Sequence, residues 1–413
     1  MRILHTSDWH LGQELYGHDR GPEHDVFLQW LLETIDAREV DALIITGDIY
    51  DVGNPPIEAQ QRFYRFLNSA LSQSDHMQIV VIGGNHDSGS RVELPKALLP
   101  HNRVYLVGGM PRAVGVVDPA GAILELKDKY GVTGAVCAAI PYLRPGDLPA
   151  GQSGSNPVAQ LYAASIQAAN QRASGVPVIA TGHLHIAGGA VSELSERRIF
   201  VGGEEAVSAD IFPSDVAYVA LGHLHNPQLI PGSTLIRYAG SPFPLSSTER
   251  GYEHSVVLLD LSGGGSVPTL IRTPRPVPFL RVPNDGFASL AEIESLLAAL
   301  PLPEVPSNLR PFLEIAITMD SPIPDLRQRI DAALQGKPVR LTRLLRQSNA
   351  VASDGQPGSA TKELSEFDPL QVFVRRYMKE YGVEPPEPLK KAFLQLVAAL
   401  AESGPDQTAS GAA

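Results

Sequence analysis

Five aliphatic runs in this chain each break off at a short polar turn, and the same few side chains recur in those turns. Residues 2–5 lead into Ser7, Asp8, Trp9 and His10; residues 42–46 into Gly47, Asp48, Ile49, Tyr50 and Asp51; and residues 78–82 into Gly84, Asn85, His86 and Asp87. Residues 178–181 lead into Gly182, His183, Leu184 and His185, and residues 216–221 into Gly222, His223, Leu224 and His225. Aliphatic and β-branched runs without polar alternation predict strands buried on both faces. Helical periodicity fills stretches between them, such as 25–38 and 59–73. Strands alternating with helices predict an α/β layered fold. The polar turns then fall at the carboxyl ends of strands, where such folds bind ligands. The glycines let the backbone turn sharply there.

The turns hold carboxylates, an amide and imidazoles, the donor set of a two-metal centre. Such a centre needs one carboxylate shared by both ions and further side chains that hold one ion each. Asp48 is the expected bridge, being central in the motif order. Asp8, His10 and His225 are expected to complete one position, and Asn85, His183 and His223 the other. Oxygen and imidazole donors without thiolate favour Mn²⁺ or Fe²⁺, with Zn²⁺ also compatible. Two such ions activate water for in-line attack on a phosphate ester. His86 is the candidate to contact the scissile phosphate and protonate the leaving oxygen. Asp87 is expected either to orient His86 or to hydrogen-bond its own turn. Asp and Asn favour turns in any protein, but turns do not require seven ligand-type residues in one order. His5, His18, His24, His76, His101 and His254 are read as structural or exposed.

Bulk properties bound the class. A chain of 413 residues holds two or three domains. The net charge of −12 argues against a free-standing, tight nucleic-acid binder, though not against a nuclease whose metals and partner supply positive charge. The single cysteine, Cys137, excludes an internal disulfide and fits a reducing cytoplasm. No signal peptide or membrane-spanning run is expected.

Catalytic features extend over 1–265, ending in a Gly-rich turn at 263–265. A smaller α+β module is expected at 276–347, with helices at 289–300 and 324–334 and strands at 311–318 and 339–345. In its last strand, Arg340, Arg343 and Arg346, with Lys337 just before, form a run without acidic residues. This is either a stripe for a DNA backbone or a solvated basic face. Strict alternation puts Arg340, Thr342 and Leu344 on one face and Arg343 on the other. Residues 350–360 read as a Ser/Gly/Pro-rich linker. Two amphipathic helices follow within 366–401, marked by Leu370, Phe373 and Tyr377 and by Leu389, Phe393 and Leu396. Residues 402–413 read as a disordered tail.

The five motifs together resemble the calcineurin-like metallophosphoesterase superfamily, which implies a layered β-sandwich flanked by helices. The segments 3–12, 47–56 (GDIYDVGNPP), 201–210 (VGGEEAVSAD) and 220–228 (ALGHLHNPQ) resemble the bacterial SbcD family in particular. That resemblance implies a Mn²⁺-dependent nuclease acting on duplex DNA ends and on single strands and hairpins, in the cytoplasm, in repair and recombination. It implies an SbcC-type SMC-like ATPase partner, a nuclease homodimer within a heterotetramer, a capping domain at 276–347, and C-terminal helices that hold the partner. It maps a ligand onto His183, which leaves His185 a surface or supporting residue. Archaeal and eukaryotic relatives carry histidine where this chain has Asp51, a position where bacterial members tend to have aspartate. The rival readings are a phosphodiesterase or phosphatase for small molecules or phosphoproteins, and a scaffold with a vestigial site.

Overall fold

The computed structural model describes residues 1–148, 156–192, 196, 206–261, 267–302, 305–319, 323–348, 369–381 and 383–403. The packing divides into two units: Met1–Gln13 with His24–Pro274, and Glu14–Glu23 with Arg275–Val397.

The first unit is built on two six-stranded sheets. In one, Arg2–Thr6, Ala42–Thr46, Gln78–Ile82 and Val104–Val107 run parallel in that order, and Ser255–Asp260 and Val267–Arg272 extend it antiparallel beyond Arg2–Thr6. In the other, Thr133–Ala138, Val178–His183, Val216–Gly222 and Ile236–Tyr238 are parallel, with antiparallel edges Ile123–Lys127 and Gln228–Ile230.

Every residue of Ala42–Thr46 and Gln78–Ile82 is buried, because the two faces of each strand meet different layers. Ala42, Ile44, Val80 and Ile82 pack with Cys137, Ile179, Tyr218 and Ala220 of the opposite sheet. Leu43, Ile45, Ile79 and Val81 turn the other way, onto Phe27, Leu31, Phe63, Phe66 and Leu67 of the helices Gly21–Ala37 and Ile57–Gln73. Val136, Ala180 and Leu221 meet Leu161, Tyr162 and Ile166 of the helix Pro157–Ala173. Helix, sheet, sheet and helix therefore form four layers, the flanked sandwich expected. The helix Ile57–Gln73 buries Ala59, Phe63, Phe66, Leu67 and Ala70 at helical spacing. Each large side chain so buried contributes about 1.5–3 kcal/mol. Pro157–Ala173 starts cleanly because Asn156 accepts the N–H groups of Val158 and Ala159 and Pro157 needs no partner there.

The first unit does not end at residue 265. Val267–Arg272 pairs with Ser255–Asp260 over six positions, carrying the unit to Pro274. Pro268 argues against a strand in sequence, but at the sheet edge its missing N–H costs no ladder bond.

The second unit holds a parallel sheet of Phe279–Val282, Phe312–Met319 and Arg340–Ser348. The helices Leu290–Ala299 and Leu326–Ala333 pack Ile293, Leu297 and Ile330 on Leu313, Ile315 and Ile317. This is the expected α+β module, with one strand more than the sequence suggested. A register shift between Leu313 and Glu314 pairs Arg340 with Phe312 and Arg343 with Glu314, leaving Thr342 as the extra residue. The bulge corrects the strict alternation: Arg340 and Arg343 share a face. Glu314 is buried between Arg281 and Arg343 at 3.1 and 3.3 Å, and Arg340 lies 3.9 Å over the Phe312 ring.

The helices Pro369–Tyr381 and Glu387–Ser403 form a hairpin closed by Phe373 stacked on Phe393, with ring centroids 4.3 Å apart. The second runs two residues past the expected end at 401. The turn at 263–265, the linker at 350–360 and the tail from 404 lie outside the described residues. Among the described residues, no helix is long and apolar enough to cross a membrane.

A buried polar tie joins the central strands of the two sheets. His5 contacts the Tyr218 hydroxyl at 2.9 Å through Nδ1 and the Thr46 hydroxyl at 3.0 Å through Nε2. Burial pushes its pKa down to about 3, so it is folded as the neutral imidazole. The unfolded chain binds this proton below about pH 6.5 and the folded chain does not. Stability attributable to His5 is therefore fully present above that pH and is lost as pH falls toward 3, by about 1 kcal/mol per pH unit. Denaturant midpoints at pH 7 and pH 5 should fall less steeply in His5→Gln than in the parent; equal slopes would contradict this role.

Candidate metal centre

The carboxyl ends of five strands converge, and neighbouring groups hold the turns in place. Trp9, between Asp8 and His10, points into the helical layer, where it meets Phe27, Phe63 and Phe66 edge-on and donates to the Thr6 hydroxyl. The flanking side chains are thereby directed the other way. Backbone N–H groups of Asp8, His10 and Leu11 donate to the carbonyls of Gly47, Asp48 and Ile49, joining the first two turns. Asp87 fixes the third: its carboxylate accepts from Gly84 (2.8 Å), Tyr50 (3.0 Å) and Ile49 (3.2 Å) N–H groups. Of the two roles expected for Asp87, this geometry is the turn-holding one. Burial raises its pKa to about 6.

Asp8, His10, Asp48 and His223 all have positive φ, at 54°, 47°, 47° and 102°. Such backbone costs about 1–3 kcal/mol per residue and persists where the surroundings impose it, commonly at functional sites. Gly47 turns with φ +88°, and a Cβ there would overlap the His183 ring; one on Gly84 would overlap Asp48. The turns approach one another closely only because these two residues lack side chains.

The carboxylate of Asp48 stands at the centre. Oδ1 lies 3.4 Å from His183 Nε2 and Oδ2 lies 3.6 Å from His10 Nε2. Asp8, His10 and His225 form one group whose ligand atoms lie within 4.8 Å of one another; Asp8, Asp48 and His183 form a second. Asn85 Oδ1 accepts from His183 Nε2 at 2.8 Å and meets His223 Nδ1 at 3.2 Å. The seven side chains expected as ligands thus lie together in one largely buried cluster about Asp8 and Asp48.

The donors fit divalent ions. His10 Nε2 is buried with no hydrogen-bond partner, an arrangement that is costly unless something binds it. The Nδ1 atoms of His10, His183 and His225 are engaged by Asp51, the Thr46 carbonyl and Glu249, at 3.1, 2.9 and 2.7 Å. Burial opposes charge throughout the site, yet His183, His86 and His10 hold Asp48 well below the usual carboxylate range. Burial likewise lowers His183 and His225, but Asp48 and Glu249 outweigh it and raise them to about 9 and about 10. Burial and His183 hold His223 well below its usual value. Positive charge accumulates where two cations would supply it.

His86 sits against this group. Its N–H donates to Asp48 Oδ1 at 2.8 Å, its Nδ1 meets the Asp51 carbonyl at 2.7 Å, and its ring lies 4.7 Å from that of His10. One ring nitrogen is within 4.8 Å of ligand atoms of His10 and Asp48. A cleft of about 1300 Å³ opens beside Asn85 and His86 and includes Arg91, Lys96, Arg112 and Arg144 in its walls.

His185 is half-buried, its ring 6.5 Å from that of His223. Lys337, Arg340, Arg343 and Arg346 belong to the second unit, where Arg340 and Arg343 engage Phe312 and Glu314. Sequence reasoning missed Glu249 and Glu196. Glu249 is fully buried behind His225, and Glu196 accepts the His225 N–H at 2.6 Å. Neither lies in a motif, and Glu249 follows Ser246, Ser247 and Thr248, which reads as a solvated loop. Asp51, unassigned in sequence, supports His10 with its side chain and His86 with its backbone.

Two stacked sheets with this cluster at their strand ends define a calcineurin-like phosphoesterase, and the family model of that description matches residues 1–227. A second, described as the type 5 capsule protein repressor C-terminal domain (SbcD_C), matches residues 275–381. The D subunit of nuclease SbcCD from Rhodobacter capsulatus is 43% identical over 353 residues, covering 83% of this chain and 87% of the relative. The Escherichia coli protein of that name is 36% identical over 394 residues, covering 92% and 93%. The chain belongs to the SbcD family.

Removing the shared carboxylate should empty both positions. Metal analysis of Asp48→Ala after Mn²⁺ loading and desalting should find neither ion, while His86→Gln retains both. Full occupancy in Asp48→Ala would contradict the bridging role, and metal loss in His86→Gln would make His86 a ligand.

Proposed function

We propose that this chain is the nuclease of an SbcC–SbcD-type complex, a Mn²⁺-dependent phosphodiester hydrolase. Its substrates are duplex DNA ends, which it digests as an exonuclease, and single strands and hairpins, which it cuts as an endonuclease. The observation that carries the reading is the convergence of Asp8, His10, Asp48, Asn85, His183, His223 and His225 around one shared carboxylate, in a chain whose relatives are named as the D subunit of nuclease SbcCD.

Two divalent ions held by these residues would supply an activated water and neutralise the phosphate. The chain itself supplies position and protons. Asp48 ties the His86 backbone to the centre, and the Asp51 carbonyl fixes the ring through Nδ1. His86 then stands where it donates to the departing ester oxygen. Arg91, Lys96 and Arg144 in the adjoining cleft, whose walls also hold Glu93 and the Arg112–Asp147 pair, are cations that suit a phosphate backbone. The cleft's volume exceeds the roughly 300–1,000 Å³ of small-ligand pockets, which weighs against a small-molecule phosphodiesterase.

The partner is an SMC-like ATPase, with the nuclease present as a dimer. The hairpin of the last two helices suits that contact: Leu389 and Leu396 are 40% and 59% exposed, while Phe373 and Phe393 close the hairpin itself. The complex acts in the cytoplasm, in DNA repair and recombination.

The purified chain should cut end-labelled linear duplex with Mn²⁺ and not with EDTA, and faster with the ATPase and ATP. Hydrolysis of a generic phosphodiester with DNA untouched, even with the partner present, would favour the small-molecule reading. His86→Gln should lower DNA turnover by about a hundredfold, read in single-turnover assays; parent-like rates would remove it from proton transfer.

A further inference from the structure

The two ligand positions differ in what stands behind their histidines. At the Asp8/His10/His225 position both imidazoles are backed by carboxylates. Asp51 Oδ1 lies 3.1 Å from His10 Nδ1, and Glu249 Oε1 lies 2.7 Å from His225 Nδ1. Glu249 is fully buried and cannot swing away, because its Oε2 accepts from the Leu245 N–H at 2.8 Å and the Ser241 hydroxyl at 3.5 Å. Glu196 adds a third carboxylate, on the His225 N–H. At the Asn85/His183/His223 position the one backing contact, His183 Nδ1 to the Thr46 carbonyl, is neutral, while His223 Nδ1 faces the side-chain oxygen of Asn85, a fellow ligand.

An anionic acceptor behind a ligating imidazole fixes its tautomer and increases its basicity, and losing such a partner typically weakens metal binding about 10–100-fold.

We propose that Asp51 and Glu249 are positioning residues that make the Asp8/His10/His225 position the tighter of the two, so that divalent ions load in separate steps. This rests on the two-metal reading of the site. Glu249 contributes more than Asp51, whose side chain is 30% exposed.

Free Mn²⁺, followed by electron paramagnetic resonance during titration of the metal-free chain, reads this without any assay of activity. The parent should bind two ions in two distinct classes. Glu249→Gln should weaken only the tight class, by about tenfold or more, and Asp51→Asn should weaken it less. His183→Gln should retain the tight ion. Two ions of equal affinity in the parent, or an unchanged tight class in Glu249→Gln, would overturn the inference. Absence of stoichiometric Mn²⁺ binding by the parent would instead overturn the two-metal reading beneath it.

Circular dichroism and thermal midpoints check that the variants fold. If Glu249→Gln does not, ¹⁵N-histidine spectra of the Zn²⁺-loaded parent, with His225 assigned by its absence in His225→Gln, give the second reading. A protonated, hydrogen-bonded His225 Nδ1 is expected. A bare Nδ1 would overturn the role of Glu249.

Discussion

The Asp48 carboxylate is the constraint on which the rest of this structure depends. It is buried, sits on a left-handed turn and faces an imidazole with each oxygen. A lone carboxylate in that position is costly to bury, so the chain surrounds it with His10, His86 and His183 and the His86 N–H, from three other strand ends. The glycines beside it, the core-directed Trp9 and the Asp87 clamp on three amides all serve to bring those strand ends within reach.

The sandwich makes that convergence possible. Each central strand is buried on both faces, and the two sheets are joined by a continuous apolar layer containing the His5–Tyr218 contact. Rigid strands place their carboxyl ends reproducibly, whereas residues on mobile loops would lose the geometry a shared carboxylate needs. The accumulated positive-φ residues are the local cost of this placement, offset by the packing of the layers beneath.

Much of this was legible in sequence because its signals are local. Unbroken aliphatic runs such as 42–46 mark strands with two buried faces, and each set of ligands lies within a few residues of a strand end. The supports were not legible because they are distant or conceal themselves in composition. Glu249 reaches His225 across 24 residues and lies among serines and threonines. Asp51 had no assigned role in sequence and supports two histidines. The bulge at Thr342 adds one residue without altering composition, so alternation put Arg343 on the wrong face. Pro268 hid an edge strand, and nothing in periodicity groups Glu14–Glu23 with the second unit.

The most direct test of the account is anomalous diffraction at the manganese edge from crystals of the Mn²⁺-loaded chain. Two peaks about 3.5–4 Å apart, one beside Asp8, His10 and His225 and the other beside Asn85, His183 and His223, with Asp48 touching both, are predicted. A single peak, or two that do not share Asp48, would contradict it.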